Sequence, residues 1–383
     1  MTNESNDSAS QKKWINIYIN GGMSRYNSKE GYTGMNVFEY ESPALDLYDI
    51  VIFDDQIQLY KFNNSLYHSK PSEDFLIHSL PIPSLKGNIL SYLKSSLHDI
   101  SPSIFSHPHI ERSKLIAEAL KEFTQIIHLE SKAEHYAIHS KAHGDRNDEG
   151  IFQNNLLHAQ AQDFLLNLTK TISQKLDILD FSGNCYLGNF DIVSHYAEFT
   201  KYIIAASYMS SGHDGHYDLS KEPNIIFRYS LDGMTGKAFY PDELETQMHN
   251  IFNNSNVLEV ASKIIDLSRI KNIESKQEHQ VHQYSLSLYD TKYFNPFITS
   301  LQQELQKKTN IVDKHDVFQL TQQVNNAELE NLFLQLRPNY ITNEEYFSWT
   351  EESNGLYTHG LHEIFAYKDM EISGKQHELN IEL

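Results

Sequence analysis

Cys185 is the only cysteine among 383 residues. It stands just past an expected strand, Leu176 to Phe181, and just before a helix expected from about Gly188 to Phe199. In an open α/β sheet that place is the carboxyl edge, where such folds build their sites. A helix N-terminus offers unpaired N–H groups and positive potential, which lower a thiol pKa. A thiolate nucleophile works best beside a base. His143-Gly144 closes the preceding expected strand, with one helix between the two. Successive parallel strands end side by side, so His143 and Cys185 should meet one or two strand spacings apart, about 5–10 Å. Gly144 leaves its backbone N–H accessible to an oxyanion. Each residue also has a plain structural reading. A lone cysteine can be a small buried hydrophobe, and with 20 histidines in the chain most are surface or packing residues. The pairing of two strand-end signals is what sets these two apart.

The elements that must position them follow from periodicity. Residues 1–13 are Asn-, Ser- and Asp-rich and read as a disordered tail. Trp14 to Ile19 alternates as a strand and runs into Asn20-Gly21-Gly22. Leu47 to Phe53 and residues 56–62 read as two further strands. Residues 63–110, with several prolines and serines, read as loops with a short helix. Leu115, Ile116, Leu120, Phe123, Ile126 and Ile127 put one apolar face on a helix over 113–130. A strand over Tyr136 to His139, a helix over 154–173, the strand before Cys185, its helix and a strand over Tyr202 to Ala206 follow in turn. That alternation predicts a mostly parallel sheet covered on both faces. Beyond Asp218 the pattern loosens. Asn224 to Tyr229 is a candidate strand, and 243–252, 257–267, 294–308 and 319–336 are expected helices. His359 to Tyr367 is a candidate late strand. The division expected is a catalytic core over 14–222 and a C-terminal elaboration over 223–383 packed on it.

Composition narrows the function. Asp plus Glu number 51 against 31 Lys plus Arg, a net charge of −20. A protein that grips nucleic acid needs a basic face, and this balance argues against one. No stretch approaches the 18 apolar residues of a membrane span, and the N-terminus lacks the apolar core of a Sec signal. The expectation is a soluble protein, cytoplasmic or exported by another route. One cysteine rules out an internal disulfide framework and a multi-cysteine metal site. His107-Pro-His109 and His213-Asp-Gly-His216 lack zinc-helix spacing and read as polar loops. No Walker loop and no Gly-x-Ser-x-Gly elbow occurs.

Ala142-His143-Gly144 after one strand and Ser182-Gly183-Asn184-Cys185 after the next resemble the caspase-like cysteine peptidases, and most of all the clostripain family. Trp14 to Gly22, Cys185 to Val193, Tyr202 to Ser207 with Gly212 to Tyr217, Ile265 to Ile270, and Gly355 to Phe365 are similar to further stretches of that family. The resemblance implies a caspase-like three-layer α/β/α sandwich and peptide hydrolysis through a thioester. It implies His143 as general base and acid, Cys185 as nucleophile, and an oxyanion hole from the N–H groups of Gly144 and Cys185. No cofactor is required; calcium enters only because some family members respond to it. The expected partner is a protein or peptide substrate, with no nucleic acid and no membrane insertion. Self-processing between histidine and cysteine also occurs in the family, and Lys170 and Lys175 lie in that interval. One departure stands out. The family usually has an aspartate two residues before the cysteine, in a pocket for Arg or Lys; this chain has Gly183, in a segment one residue longer. Asp214 is the substitute acid for substrate binding, its plain alternative being an exposed loop carboxylate. That departure keeps open a catalytically silent binding or scaffolding module; a third reading is a protease restricted to one protein partner, chosen with help from the loop-rich stretch 63–110 and the acidic surface.

Overall fold

A computed structural model describes residues 12–21, 45–53, 55–62, 76–82, 106–142, 150–152, 155–184, 187–188, 190–206, 228–229, 235–236, 251–252, 256–266, 286–307, 321 and 324–341. In chain order the strands are β1 (Lys12–Asn20), β2 (Leu45–Ile52), β3 (Gln56–Phe62), β4 (Leu76–Pro81), β5 (Ala133–Lys141), β6 (Gly150–Ile151), β7 (Leu156–Leu157), β8 (Leu176–Gly183), β9 (Thr200–Ala205), β10 (Arg228–Tyr229), β11 (Thr235–Gly236), β12 (Leu286–Asp290) and β13 (Asn339–Ile341). Nine of them form one sheet in the order β13-β12-β9-β8-β5-β1-β2-β3-β4. The five central strands, β9-β8-β5-β1-β2, are parallel. The two strands at each edge are antiparallel to their neighbours.

β1 shows why the sheet is covered on both faces. Ile15, Ile17 and Ile19 point into one apolar cluster, while Trp14 and Tyr18 point into the other, and all are buried. A strand with both faces buried belongs in the middle of a parallel sheet. The first face is covered by helices Ser106–Glu130, His158–Ile172, Phe190–Tyr196, Phe294–Leu305 and Ala327–Leu336. They bring Leu120, Phe123, Phe164, Leu168, Phe297 and Phe333 down onto it. On the second face the helix over 257–266 and residues 251–252 place Phe252, Val260, Ile264 and Ile265 against Trp14, Ala137, Ile178 and Ile204. The result is a three-layer α/β/α sandwich with a mixed sheet whose centre is parallel, as the resemblance implied.

The differences from the expected elements have local causes. The helix expected from 113 begins at Ser106 and takes in His107, Pro108 and His109, which were expected in a loop. Pro108 sits in the first turn, where its missing N–H costs nothing. β4 lies within the stretch expected to be loop; it is an outer strand, and Pro81 ends it, where proline is tolerated. The helix expected over 319–336 is interrupted at Asn325, whose φ is 52°. Asn326 then caps a fresh helix, its side chain accepting from Glu328 N at 2.9 Å and Leu329 N at 3.2 Å. The chain beyond 223 does more than pack on the core, since β12 and β13 extend the core's own sheet. The candidate strand over 359–367 lies outside the described residues, as do residues 1–11. Among the described residues no helix is long and apolar enough to cross a membrane.

Candidate active site

The four residues singled out by the sequence, His143, Gly144, Cys185 and Asp214, lie outside the described residues. What the structure describes is the framework that leads to them. β5 ends at Lys141, two residues before His143, and β8 ends at Gly183, two residues before Cys185. β5 and β8 are adjacent and parallel. Their pairing runs Ala137↔Ile178, Ile138↔Leu179, His139↔Asp180, then slips and resumes at Lys141↔Gly183. Between those last two pairs β5 spends Ser140 and Lys141, while β8 spends Phe181, Ser182 and Gly183. The extra residue is a β-bulge.

The chain on either side of Cys185 is tied down. Asn184 N donates to Phe181 O at 2.8 Å, closing a turn. Gly188 N donates to Ala206 O at 2.7 Å, at the end of β9, and Gly188 O accepts from the Tyr289 hydroxyl at 3.2 Å. The Asn184 side chain is fully buried, and among the described residues neither its Nδ2 nor its Oδ1 has a hydrogen-bond partner. The helix that follows starts at Phe190, five residues after Cys185, and runs only seven residues.

Below the strand ends lie two rows of polar groups that the sequence did not reveal. In one, Trp14 of β1 packs against His135 of β5 with ring centroids 4.7 Å apart and planes tilted by 35°, and His135 Nδ1 lies 3.4 Å from Asp177 Oδ2 on β8. In the next, Tyr18 stacks on His139 at 4.7 Å and 20°, and His139 Nδ1 donates to Asp180 Oδ2 at 2.8 Å. The rows are level because Trp14 pairs with His135 and Tyr18 with His139. Asp177 also accepts from Lys201 Nζ at 2.6 Å and from Tyr136 N at 3.0 Å. Burial alone would raise its pKa; the contacts from His135, Lys201 and the Tyr136 N–H outweigh that and hold it below the ordinary carboxylate value. The available signal was two acids inside one strand, Leu176-Asp-Ile-Leu-Asp-Phe181. A charge in a strand covered on both faces must be paired. The histidines at 135 and 139 are four residues apart on β5, which puts both on one face. Among the described residues no group of three or more His, Cys, Asp or Glu could hold a metal ion.

No family model matches the chain, and no curated protein matches it. Solved structures do. The chain is similar to a secreted C11 cysteine protease from Bacteroides thetaiotaomicron in complex with an irreversible peptide inhibitor, at 11% identity over 86% of this chain and 84% of that one, with a TM-score of 0.48. It is similar to an inactive zymogen C11 protease from Parabacteroides distasonis, at 11% identity over 87% and 84%, with a TM-score of 0.46. A second structure of the secreted Bacteroides thetaiotaomicron protease, iotapain, matches at 9% identity over 86% of each chain, with a TM-score of 0.47. Overlap this loose leaves the functional reading to rest on the strand register.

Proposed function

We propose that the chain is a cysteine endopeptidase that uses Cys185 as nucleophile and His143 as base and acid. The observation that carries the proposal is the return to register at Lys141↔Gly183. Neighbouring strands lie about 4.8 Å apart, and two residues carry a chain at most about 7 Å. Continued by two residues, the same pairing would set His143 opposite Cys185, which is the spacing a thiol–imidazole dyad needs. The ties at Asn184 and Gly188 favour a fixed nucleophile, since they hold both flanks of Cys185.

The reaction then follows. His143 takes the thiol proton, and the thiolate attacks the substrate carbonyl carbon. The Gly144 and Cys185 N–H groups receive the oxyanion. Collapse breaks the C–N bond, His143 gives its proton to the leaving amine, and a thioester remains. Water, deprotonated by His143, attacks the thioester and releases the acid and the thiolate. No cofactor takes part. Asp214 is the acid proposed to hold a basic P1 side chain. Self-processing at Lys170 or Lys175 would have to unlock ordered chain. The Lys170 carbonyl accepts from Ser173 N at 3.3 Å, and Leu176 N, next to Lys175, donates to Phe199 O at 3.0 Å.

The test is covalent. A peptide acyloxymethyl ketone should add one label, located at Cys185 by mass spectrometry, and His143→Ala should slow labelling by orders of magnitude. Equal rates for wild type and His143→Ala would favour the scaffolding reading, which Gly183 in place of the usual acid motivates.

A further inference from the structure

Resting on the dyad reading, we infer that His139 and Asp180 are positioning residues: their buried hydrogen-bonded pair holds the β-bulge that brings the nucleophile's strand into step with the base's strand. A bulge leaves one residue out of the ladder, and its backbone needs another partner. Here Asp180 Oδ1 accepts from Ser182 N at 2.8 Å, inside the bulge. The other oxygen of the same carboxylate, Oδ2, accepts from His139 Nδ1 at 2.8 Å across the strands. One carboxylate thus satisfies the displaced N–H and fastens it to β5. Tyr18 stacks on the imidazole from β1. His139 is 1% exposed and Asp180 0%, so water and salt do not compete for the pair.

The register consequence is direct. Without the bulge, pairing onward from His139↔Asp180 would set Asn184 opposite His143. Cys185 would fall one place further on and, by strand alternation, on the other face. The His139–Asp180 pair therefore acts on the chemistry through geometry alone and touches neither substrate nor thiol.

Because Cys185 is the only cysteine, alkylation of the full chain reports on that residue alone. The informative variants are His139→Leu/Asp180→Leu, which removes both groups so that neither is left unpaired, and Asp180→Asn, which keeps an acceptor for Ser182 N. The double variant should unfold cooperatively near the wild-type temperature. Its labelling by the peptide acyloxymethyl ketone should fall about 100-fold, the usual effect of a small misplacement of reacting groups. Asp180→Asn should restore labelling close to the wild-type rate, a rescue that a purely structural role would not produce. A folded double variant that labels like wild type overturns the inference and leaves the peptidase reading standing. A wild type that the ketone does not label overturns the peptidase reading. The positioning inference is then judged by iodoacetamide, which should alkylate the double variant with a different pH profile. Should the double variant not fold, hydrogen exchange on the wild type decides: the Ser182 amide must be protected like the core strands, and free exchange overturns the inference.

Discussion

Gly21 packs so closely on Phe152 that a Cβ on residue 21 would lie 2.3 Å from the Phe152 carbonyl oxygen. Gly21 follows the carboxyl end of β1, beside β5, and Phe152 follows β6. The chain that leaves β5 at Lys141 and passes through His143 returns at Gly150, so this contact fastens its far end to the sheet edge. Gly150 is squeezed in the same way, with a Cβ there lying 2.2 Å from the Leu156 carbonyl oxygen. Since the obstacle in each case is backbone, it cannot swing aside. Gly21→Ala should therefore destabilise the protein by about 1–3 kcal/mol, the cost of overfilling a packed site. It should also slow ketone labelling of the molecules that remain folded. Urea denaturation and labelling in dilute buffer measure the two effects, and wild-type values for both would refute the contact.

The Asp177 network fixes the sign of an acid effect. The folded carboxyl titrates below its ordinary value of 3.8, so the unfolded chain binds the proton first. The stability this group contributes is complete above that ordinary value and is lost as pH falls through the folded one. Asp177→Asn should flatten the fall in the urea midpoint below pH ~4 and lower the midpoint at neutral pH. Lys201→Met should do less, because Lys201 is 43% exposed and solvent screens its ion pair. Profiles of wild type and Asp177→Asn that run parallel across the acid range would show that the group does not titrate as described.

His195 should act in a different window and for a different reason. It stacks on His158 at 4.4 Å and 20°, and its carbonyl accepts from Gln162 Nε2 at 3.1 Å. Burial lowers its pKa from the ordinary 6.5, so the folded protein resists a proton that the unfolded chain accepts. Stability is then unaffected well above 6.5 and declines as pH drops through that value toward the folded pKa. His195→Gln should reduce the slope of stability against pH just below 6.5, read as the change in thermal midpoint with pH. An unchanged slope would assign the decline to other histidines.

How much of this was legible depends on how local each signal is. β1 was plain because Trp14 to Ile19 alternates within six residues and both sets are buried. The local signal of β8 stops at Phe181, because Ser182-Gly183 has the chemistry of a turn. Those residues are strand only by virtue of Lys141 on the neighbouring chain segment. β12 carries no local signal, because Leu286–Asp290 is a five-residue run, buried throughout, whose strand character comes from lying against β9. The break at Asn325 was hidden inside a continuous helical period. His139 and Asp180 are 41 residues apart, and no spacing rule links an imidazole to a carboxylate at that distance. The pairing of strand ends could be anticipated from the βαβ pattern; the bulge that completes it could not, because it exists only between two strands.

Specificity offers the last test, and it turns on where the negative charge for a basic P1 side chain comes from. Gly183 has no side chain to offer, and its neighbour Asn184 presents a neutral, buried amide. A basic preference would therefore need a carboxylate from elsewhere, and Asp214 is the proposed source. A fluorogenic panel varied at P1 should favour Arg and Lys. In Asp214→Ala, kcat/KM for the Arg substrate should drop about 100-fold or more, the loss expected when one partner of a desolvated charge pair is removed. Neutral P1 substrates should hardly change, and the Tm should stay put. A panel without basic preference would point to a pocket read by uncharged groups. A basic preference that survives Asp214→Ala would move the charge to another acid and end the role given to Asp214.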